Sequence, residues 1–290
     1  MNNTKTSQQA QVKSLAIIGG GWVGKPLTKQ LTEQQYKVIA TTQSEDNFSA
    51  LQSVGAEPAL LQLPLANVDE IPKQCQAIFA QQSLVIAIPP QIKKGRADYP
   101  EKIAQIVQLA ELGAVERIIL LSTTAVYNGC EGEVTESSEL NQQGDKVEIL
   151  AAAEKALSQF SKQSAVLRLA GLVGPGRHPG RFINSARVLA NPMMPVNLIH
   201  LHDVLGLIQT LLAAKSINGI YHGVSDTHIS KQAFYQASAE AIGLPAPVFS
   251  KALATGTHRI VLDTRTGSEL AYQYQHANLL DWLASGVDNP

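Results

Sequence analysis

The run Gly19-Gly20-Gly21-Trp22-Val23-Gly24 holds the spacing G-x-G-x-x-G between an aliphatic segment, Leu15-Ala16-Ile17-Ile18, and a Leu/Lys/Gln-rich stretch reaching about Glu33. A strand before and a helix after give such a motif its meaning, which is grip on a dinucleotide pyrophosphate. Gly19 permits the tight turn, Gly21 lets main chain approach the phosphates, and Gly24 lets the helix lie close to the strand. The helix N-terminus offers unpaired N–H groups and partial positive charge to the same anion. Trp22 and Val23, inside the turn, are expected to border that ligand.

The end of the second strand decides which dinucleotide is held. A carboxylate there binds a ribose 2′-hydroxyl and favours NAD, whereas an Arg favours NADP. The residues are Thr41, Thr42 and Gln43, so neither determinant is present. Nothing repels a 2′-phosphate, and Thr42 and Gln43 can donate hydrogen bonds to one, which leans the reading of NAD(P) toward NADP. Glu45 and Asp46, the nearest acids, read as a solvated cap of the following helix.

These residues need a frame. Lys37-Val38-Ile39-Ala40, Pro58-Ala59-Leu60-Leu61, Ser83 to Ile88, Arg117 to Leu121 and Ala165 to Leu169 are further strand-like runs, separated by helical stretches. One helix has Asp98 as N-cap, Pro100 in its first turn, apolar Ile103, Ile106, Val107 and Ala110 at helical spacing, and Gly113 as stop. Another covers about Lys146–Phe160. Apolar strands alternating with helices predict an α/β fold, a doubly wound parallel (Rossmann) sheet covered on both faces. Past Gly174-Pro175-Gly176 the alternation breaks. We therefore expect a polar tail over 1–11, a Rossmann domain over 12–176 and a smaller substrate-side α+β region over 177–290.

Composition narrows the function classes. The chain has 290 residues, 44% apolar and 16% charged, which excludes disorder over most of its length. A net charge of −1 provides no footprint for nucleic acid or an anionic membrane. Two cysteines make neither a disulfide framework nor a zinc cluster. No signal-like or membrane-length apolar run occurs, so the expectation is a cytoplasmic protein.

The order of motifs resembles a family. The glycine turn, Pro89-Pro90 after the fourth strand, Ser122-Thr123-Thr124-Ala125-Val126-Tyr127 after the fifth, Leu167-Arg168-Leu169-Ala170-Gly171-Leu172-Val173-Gly174-Pro175-Gly176-Arg177, and Val196 to Val204 are similar to an extended short-chain dehydrogenase/reductase of the NAD-dependent epimerase/dehydratase kind. The resemblance runs from about residue 14 to 285, although the family's usual glycine pattern would place Gly where Ile18 stands. It implies a nucleotide sugar or similar polar small molecule as substrate, with Ile88, Pro89 and Ser122 joining Gly19, Gly21, Trp22, Val23, Gly24, Thr42 and Gln43 around the cofactor. Thr123 matches the residue that holds the substrate oxygen. By fold-level analogy, helices on the sheet faces make a homodimer the natural oligomer.

The family's acid/base pair, a Tyr with Lys four residues later, is missing. No Tyr lies between Tyr127 and Tyr221, and none is followed by Lys at that distance. A phenol needs nearby positive charge to exchange protons near neutral pH, so the departure bears directly on catalysis. Alignment puts Leu150 at the Lys position and Lys146 at the Tyr position. Lys146 is either a solvated helix-start residue or a desolvated amine in the phenol's place. Arg168, Arg177, His178 and Arg181 flank the Gly-Pro-Gly loop, and the last three are candidates for a substrate anion. His200-x-His202 has strand spacing for two ligands, but no third is evident, and Asp203 reads as a helix cap, so no metal site is expected. No Gly-x-Ser-x-Gly elbow supports a hydrolase. Two readings stand: an atypical oxidoreductase or epimerase, and a non-catalytic dinucleotide-binding redox sensor or scaffold.

Overall fold

A computed structural model describes residues 13–141, 143–182, 188–250 and 258–288. The polar tail expected over 1–11 lies outside the described residues. The chain opens with β1 (Ser14–Ile18), α1 (Gly24–Glu33), β2 (Lys37–Thr42), α2 (Phe48–Gln52), β3 (Glu57–Leu60), α3 (Gln76–Phe79), β4 (Ser83–Ile86), α4 (Tyr99–Leu112) and β5 (Arg117–Thr123). β6 (Gly132–Val134), α5 (Asp145–Leu157), β7 (Gln163–Leu169), β8 (Gly171–Val173) and β9 (Leu198–His200) follow. It closes with α6 (Leu201–Ala213), β10 (Asn218–Gly223), α7 (Lys231–Glu240), β11 (Arg259–Val261), α8 (Arg265–Leu270) and α9 (Leu279–Ser285).

Among the described residues the central sheet has seven strands in the order β10-β7-β5-β4-β1-β2-β3. Every pair in it is parallel. Parallel strands buried on both faces must be apolar throughout. Ala16, Ile17, Leu84, Val85, Ile118, Ile119 and Leu120 are accordingly fully enclosed. The connections leave β1 in one direction toward β2 and in the other toward β4. That reversal opens a crevice beyond the carboxyl ends of both strands.

Part of the region after residue 176 completes the central sheet. α6 and β10, although they come later, return to the sheet, and β10 is its seventh strand beside β7. Arg117 binds this element to the rest by donating to the Leu211 and Leu212 carbonyls at 3.0 and 2.6 Å, a cation at a helix C-terminus. The short pairs β8–β9 and β6–β11 lie outside the central sheet. Asp98 stands at the N-cap position of α4, but its carboxylate goes to Arg96 and Lys102 at 2.7 and 3.0 Å and caps no backbone N–H.

Candidate functional site

The glycine turn sits at the mouth of the crevice. Gly19 has φ +115°, and a Cβ there would meet the Ala87 carbonyl carbon at 2.9 Å. The left-handed conformation and close approach both require glycine. At Gly24 a Cβ would lie 2.0 Å from the Gly19 oxygen, so α1 packs directly on the turn. Gly21, by contrast, has open space where a Cβ would go. No side chain caps α1, but its Lys25 and Leu27 N–H groups already bond the Gly21 and Val23 carbonyls at 2.9 and 3.1 Å and Pro26 has no N–H, which leaves the Gly24 N–H at the helix start for an anion.

Two cavities flank the turn. The first, about 360 Å³, is bordered by Gly19 and Gly21 together with Thr42, Gln43, Ile88 and Pro89. Asn47, Gln91 and Lys102 line it too, and none of them was expected at the cofactor from sequence. Its polar wall is set by β2: Thr41 Oγ1 accepts from the Gly19 N–H at 3.1 Å, and Asn47 Nδ2 donates to Thr42 Oγ1 at 3.3 Å. Glu45 and Asp46 are exposed in a short turn and do not line this cavity; Ser44 Oγ accepts from the Asp46 N–H at 3.3 Å there.

The second cavity, about 430 Å³, is lined by Gly21, Trp22, Val23, Ile88, Pro89, Ser122, Thr123 and Arg177, with Tyr99 and Leu150 on its floor. Gly21, Ile88 and Pro89 border both cavities. Thr123 Oγ1 accepts from the Ala125 N–H at 3.2 Å, which leaves its own hydrogen to donate. Ser122 is buried, and its hydroxyl donates to Glu154 Oε1 at 2.5 Å. Leu150 presents an alkyl chain to the cavity from α5. Tyr99 reaches it from the first turn of α4, and burial beside Glu154 pushes its phenol pKa well up.

Lys146 lies one turn before Leu150 and lines neither cavity. It is half-buried, and burial together with Lys93 and Arg259 lowers its pKa below the ordinary lysine value. The three cations mark a positive rim at the start of α5.

The basic residues around the Gly-Pro-Gly loop separate. Arg177 stacks on Trp22, its guanidinium carbon 4.3 Å from the ring centroid. Arg181 is exposed and lines neither cavity. His178 turns inward instead of toward a substrate: it is 2% exposed, beside Trp282, and its Nδ1 accepts from the Gly180 N–H at 3.2 Å. Arg168 likewise lines neither cavity beside the glycine turn. It donates to Glu154 at 2.6 to 3.1 Å and to the Tyr127 hydroxyl at 2.5 Å, all within the core. Tyr127 Oη also lies 2.8 Å from His222 Nε2, so this phenol packs beneath the site and does not enter it.

A family profile described as NAD(P)H-binding matches residues 19–188. Protein YeeZ of Escherichia coli strain K12 is 32% identical over 275 residues, covering 93% of this chain and 98% of that protein. DesIV, a dTDP-glucose 4,6-dehydratase from Streptomyces venezuelae with NAD and TYD bound, superposes with TM-score 0.75 at 18% identity, over 94% of this chain and 95% of its own. The UDP-glucuronic acid 4-epimerase of Bacillus cereus, in complex with UDP-glucuronic acid and NAD, also gives 0.75, at 15% identity over 93% and 96%. At such identities the two structures speak to fold alone. Among the described residues no helix is long and apolar enough to cross a membrane.

Proposed function

The chain belongs to the NAD(P)H-binding family and has the epimerase/dehydratase-like short-chain dehydrogenase/reductase fold. On that premise we propose that it is an NAD(P)-dependent oxidoreductase or epimerase acting on a nucleotide sugar or similar polar, anionic small molecule. The observation that carries this reading is the pair of cavities sharing Gly21, Ile88 and Pro89. One dinucleotide fits such a layout, with adenosine on the Thr42 and Gln43 side, nicotinamide on the Thr123 side, and diphosphate over the bare main chain of Gly21. When bound, the cofactor supplies or accepts a hydride.

The chain's own residues then have distinct tasks. Thr123 donates a hydrogen bond to the substrate oxygen, because its acceptor side is held by the Ala125 N–H. Lys146 stands in for the missing phenol from the start of α5, outside the second cavity, and passes a proton to or from a substrate group that extends to that rim. Burial and two neighbouring cations lower its pKa and raise the neutral fraction a base requires. Arg177 and the rim cations Lys93 and Arg259 receive the substrate's anionic group. Thr42 and Gln43, with no carboxylate beside them in the cavity, favour NADP over NAD.

One observation favours the non-catalytic reading. Leu150 offers the second cavity an apolar chain where the family's Lys would stand, and a sensor needs cofactor binding but no proton transfer.

Titration with NADPH and NADH, followed by fluorescence and melting temperature, tests the shared step. A nucleotide at about 100 times its Kd adds about 2.7 kcal/mol of stability. NADPH is expected to bind more tightly than NADH, and no shift with either removes both readings. A turnover screen of nucleotide sugars and carbonyl compounds then separates them. Activity lost in Lys146→Ala or Thr123→Ala supports the enzyme. Binding without turnover of any compound supports the sensor.

A further inference from the structure

His200 and His202 lack a visible third partner in the sequence, but the fold brings one. His276, in the loop between α8 and α9, reaches the first turn of α6. One ring nitrogen from each of His200, His202 and His276 lies within 4.8 Å of the other two. The contact between His202 Nδ1 and His276 Nε2 is 3.3 Å. Tetrahedral zinc with Zn–N bonds of about 2.0–2.1 Å holds its nitrogens roughly 3.3–3.4 Å apart, so that pair already has ligand spacing.

Two carboxylates, Asp203 buried and Asp288 partly exposed, hold the cluster in place. Asp203, fully enclosed in α6, accepts from the main-chain N–H groups of Gln275 and His276 at 2.6 and 3.0 Å and from the Tyr272 hydroxyl at 3.0 Å. That anchors the loop carrying His276. Asp288 Oδ2 lies 3.0 Å from His200 Nε2 and 3.4 Å from Trp282 Nε1. An ionised carboxylate only accepts, so the His200 hydrogen sits on Nε2 and the lone pair on Nδ1. A carboxylate behind an imidazole in this way orients and strengthens a metal ligand. That lone pair accepts a 3.2 Å bond, at the long end of the range, from the His202 N–H at the start of α6, and a metal on Nδ1 would take the place of this bond.

We propose that His200, His202 and His276 form a binding site for a divalent transition metal of the zinc class, with Asp288 supporting His200 and a fourth position for water. Imidazole donors suit zinc and, by the same chemistry, copper or nickel. None of the three lines either cavity beside the glycine turn, so the assignment is independent of the dinucleotide reading. A metal here would tie the start of α6, the loop before α9 and the segment after α9 into one unit.

The test uses the full chain without a polyhistidine tag, freed of metal by EDTA dialysis. Calorimetric titration with Zn²⁺ should show one equivalent bound, and Co²⁺ should give the visible absorption bands of a tetrahedral site. Asp288→Asn should weaken binding by about 10–100-fold, the usual cost of a supporting carboxylate. His202→Gln and His276→Gln should each weaken it further, and Zn²⁺ should raise the melting temperature of the wild type only. His202 is partly solvent-facing, so its variant should keep the wild-type circular dichroism and serve even if another unfolds. Stoichiometric Zn²⁺ binding of equal strength in wild type and His202→Gln would overturn the assignment, as would wild-type binding no stronger than that of a variant carrying both His202→Gln and His276→Gln. Either result would make the three rings a hydrogen-bonded network only.

Discussion

The Arg177 guanidinium carbon lies 4.3 Å from the centroid of the Trp22 ring, and the Trp22 indole N–H donates to the Pro175 carbonyl at 2.9 Å. The glycine turn and the loop of residues 174–177 are thereby clamped together at the edge of the second cavity. Trp22 should therefore report on ligand entry, while the chain's other tryptophan, Trp282, is buried beside His200. Binding of NADPH is expected to quench part of the emission in the wild type and none of it in Trp22→Phe. A cation stacked at an exposed ring contributes about 0.5–1 kcal/mol. Arg177→Ala should thus weaken nucleotide binding by about two- to fivefold at the usual free-energy conversion, read from the same titration.

The glycines of the turn should respond differently to one added methyl. At Gly21 the methyl has room within the protein but occupies the approach to the diphosphate. Gly21→Ala should melt within about 0.5 kcal/mol of the wild type, as surface changes do, yet lose most of its NADPH affinity. At Gly24 the methyl would collide with the Gly19 carbonyl at 2.0 Å. Gly24→Ala should cost about 1–3 kcal/mol of stability, as overpacking does, besides losing affinity. Urea unfolding and fluorescence titration separate the two effects. Equal stability losses would show that the spacing has no specific relation to the ligand.

The sheet and the glycine turn were readable because each is dictated locally. Strands enclosed on both faces must be apolar from end to end, and a tight strand-to-helix turn admits only glycine at certain positions. Residue function was harder wherever the partner lies far along the chain. Arg168 looks, by its neighbours, like one more basic residue of the Gly-Pro-Gly loop. Its place inside the apolar run Ala165 to Leu169 was the available signal, since a charge in a doubly covered strand must have a buried partner. His178 carried no such signal, because a turn of the same composition can face either way. The third histidine beside His200 and His202 is 74 residues from the second, and no spacing rule reaches it. The return of β10 to the sheet was missed for a related reason. Asn218-Gly219-Ile220-Tyr221-His222-Gly223 has the mixed composition of an edge strand.

The Arg168–Glu154 pair sets up a stability prediction. Their side chains are 4% and 8% exposed and 2.6 Å apart at closest approach. Removing one partner strands the other in the core, which typically costs about 3–5 kcal/mol. Arg168→Met and Glu154→Gln should each lower the unfolding free energy by about that much. The double variant should be less destabilised than the sum of the two, because it leaves no unpaired charge. Glu154 also accepts from Ser122 beside Thr123, so Glu154→Gln should weaken turnover more than nucleotide binding. Chemical denaturation of the four proteins gives the coupling energy, and additive losses would show that the contact contributes nothing specific.

His222, behind that pair, makes stability depend on pH. The Leu262 carbonyl, 2.7 Å from Nδ1, can only accept, so the hydrogen is on Nδ1 and Nε2 faces the Tyr127 hydroxyl at 2.8 Å. Burial holds the imidazole pKa below its ordinary 6.5, although the Leu262 bond and nearby Glu136 pull upward. The unfolded chain therefore binds more protons than the folded one between the lowered value and 6.5, and folding stability rises with pH across that window. The stabilising share from neutral His222 is complete above 6.5 and is lost as the pH falls from there toward the folded-state value. Other buried histidines act in the same direction, so the comparison must be with His222→Gln. Urea midpoints measured from about pH 8 to pH 5 should fall more steeply in the wild type than in the variant. Parallel curves would mean that the ring takes up its proton inside the fold at no extra cost.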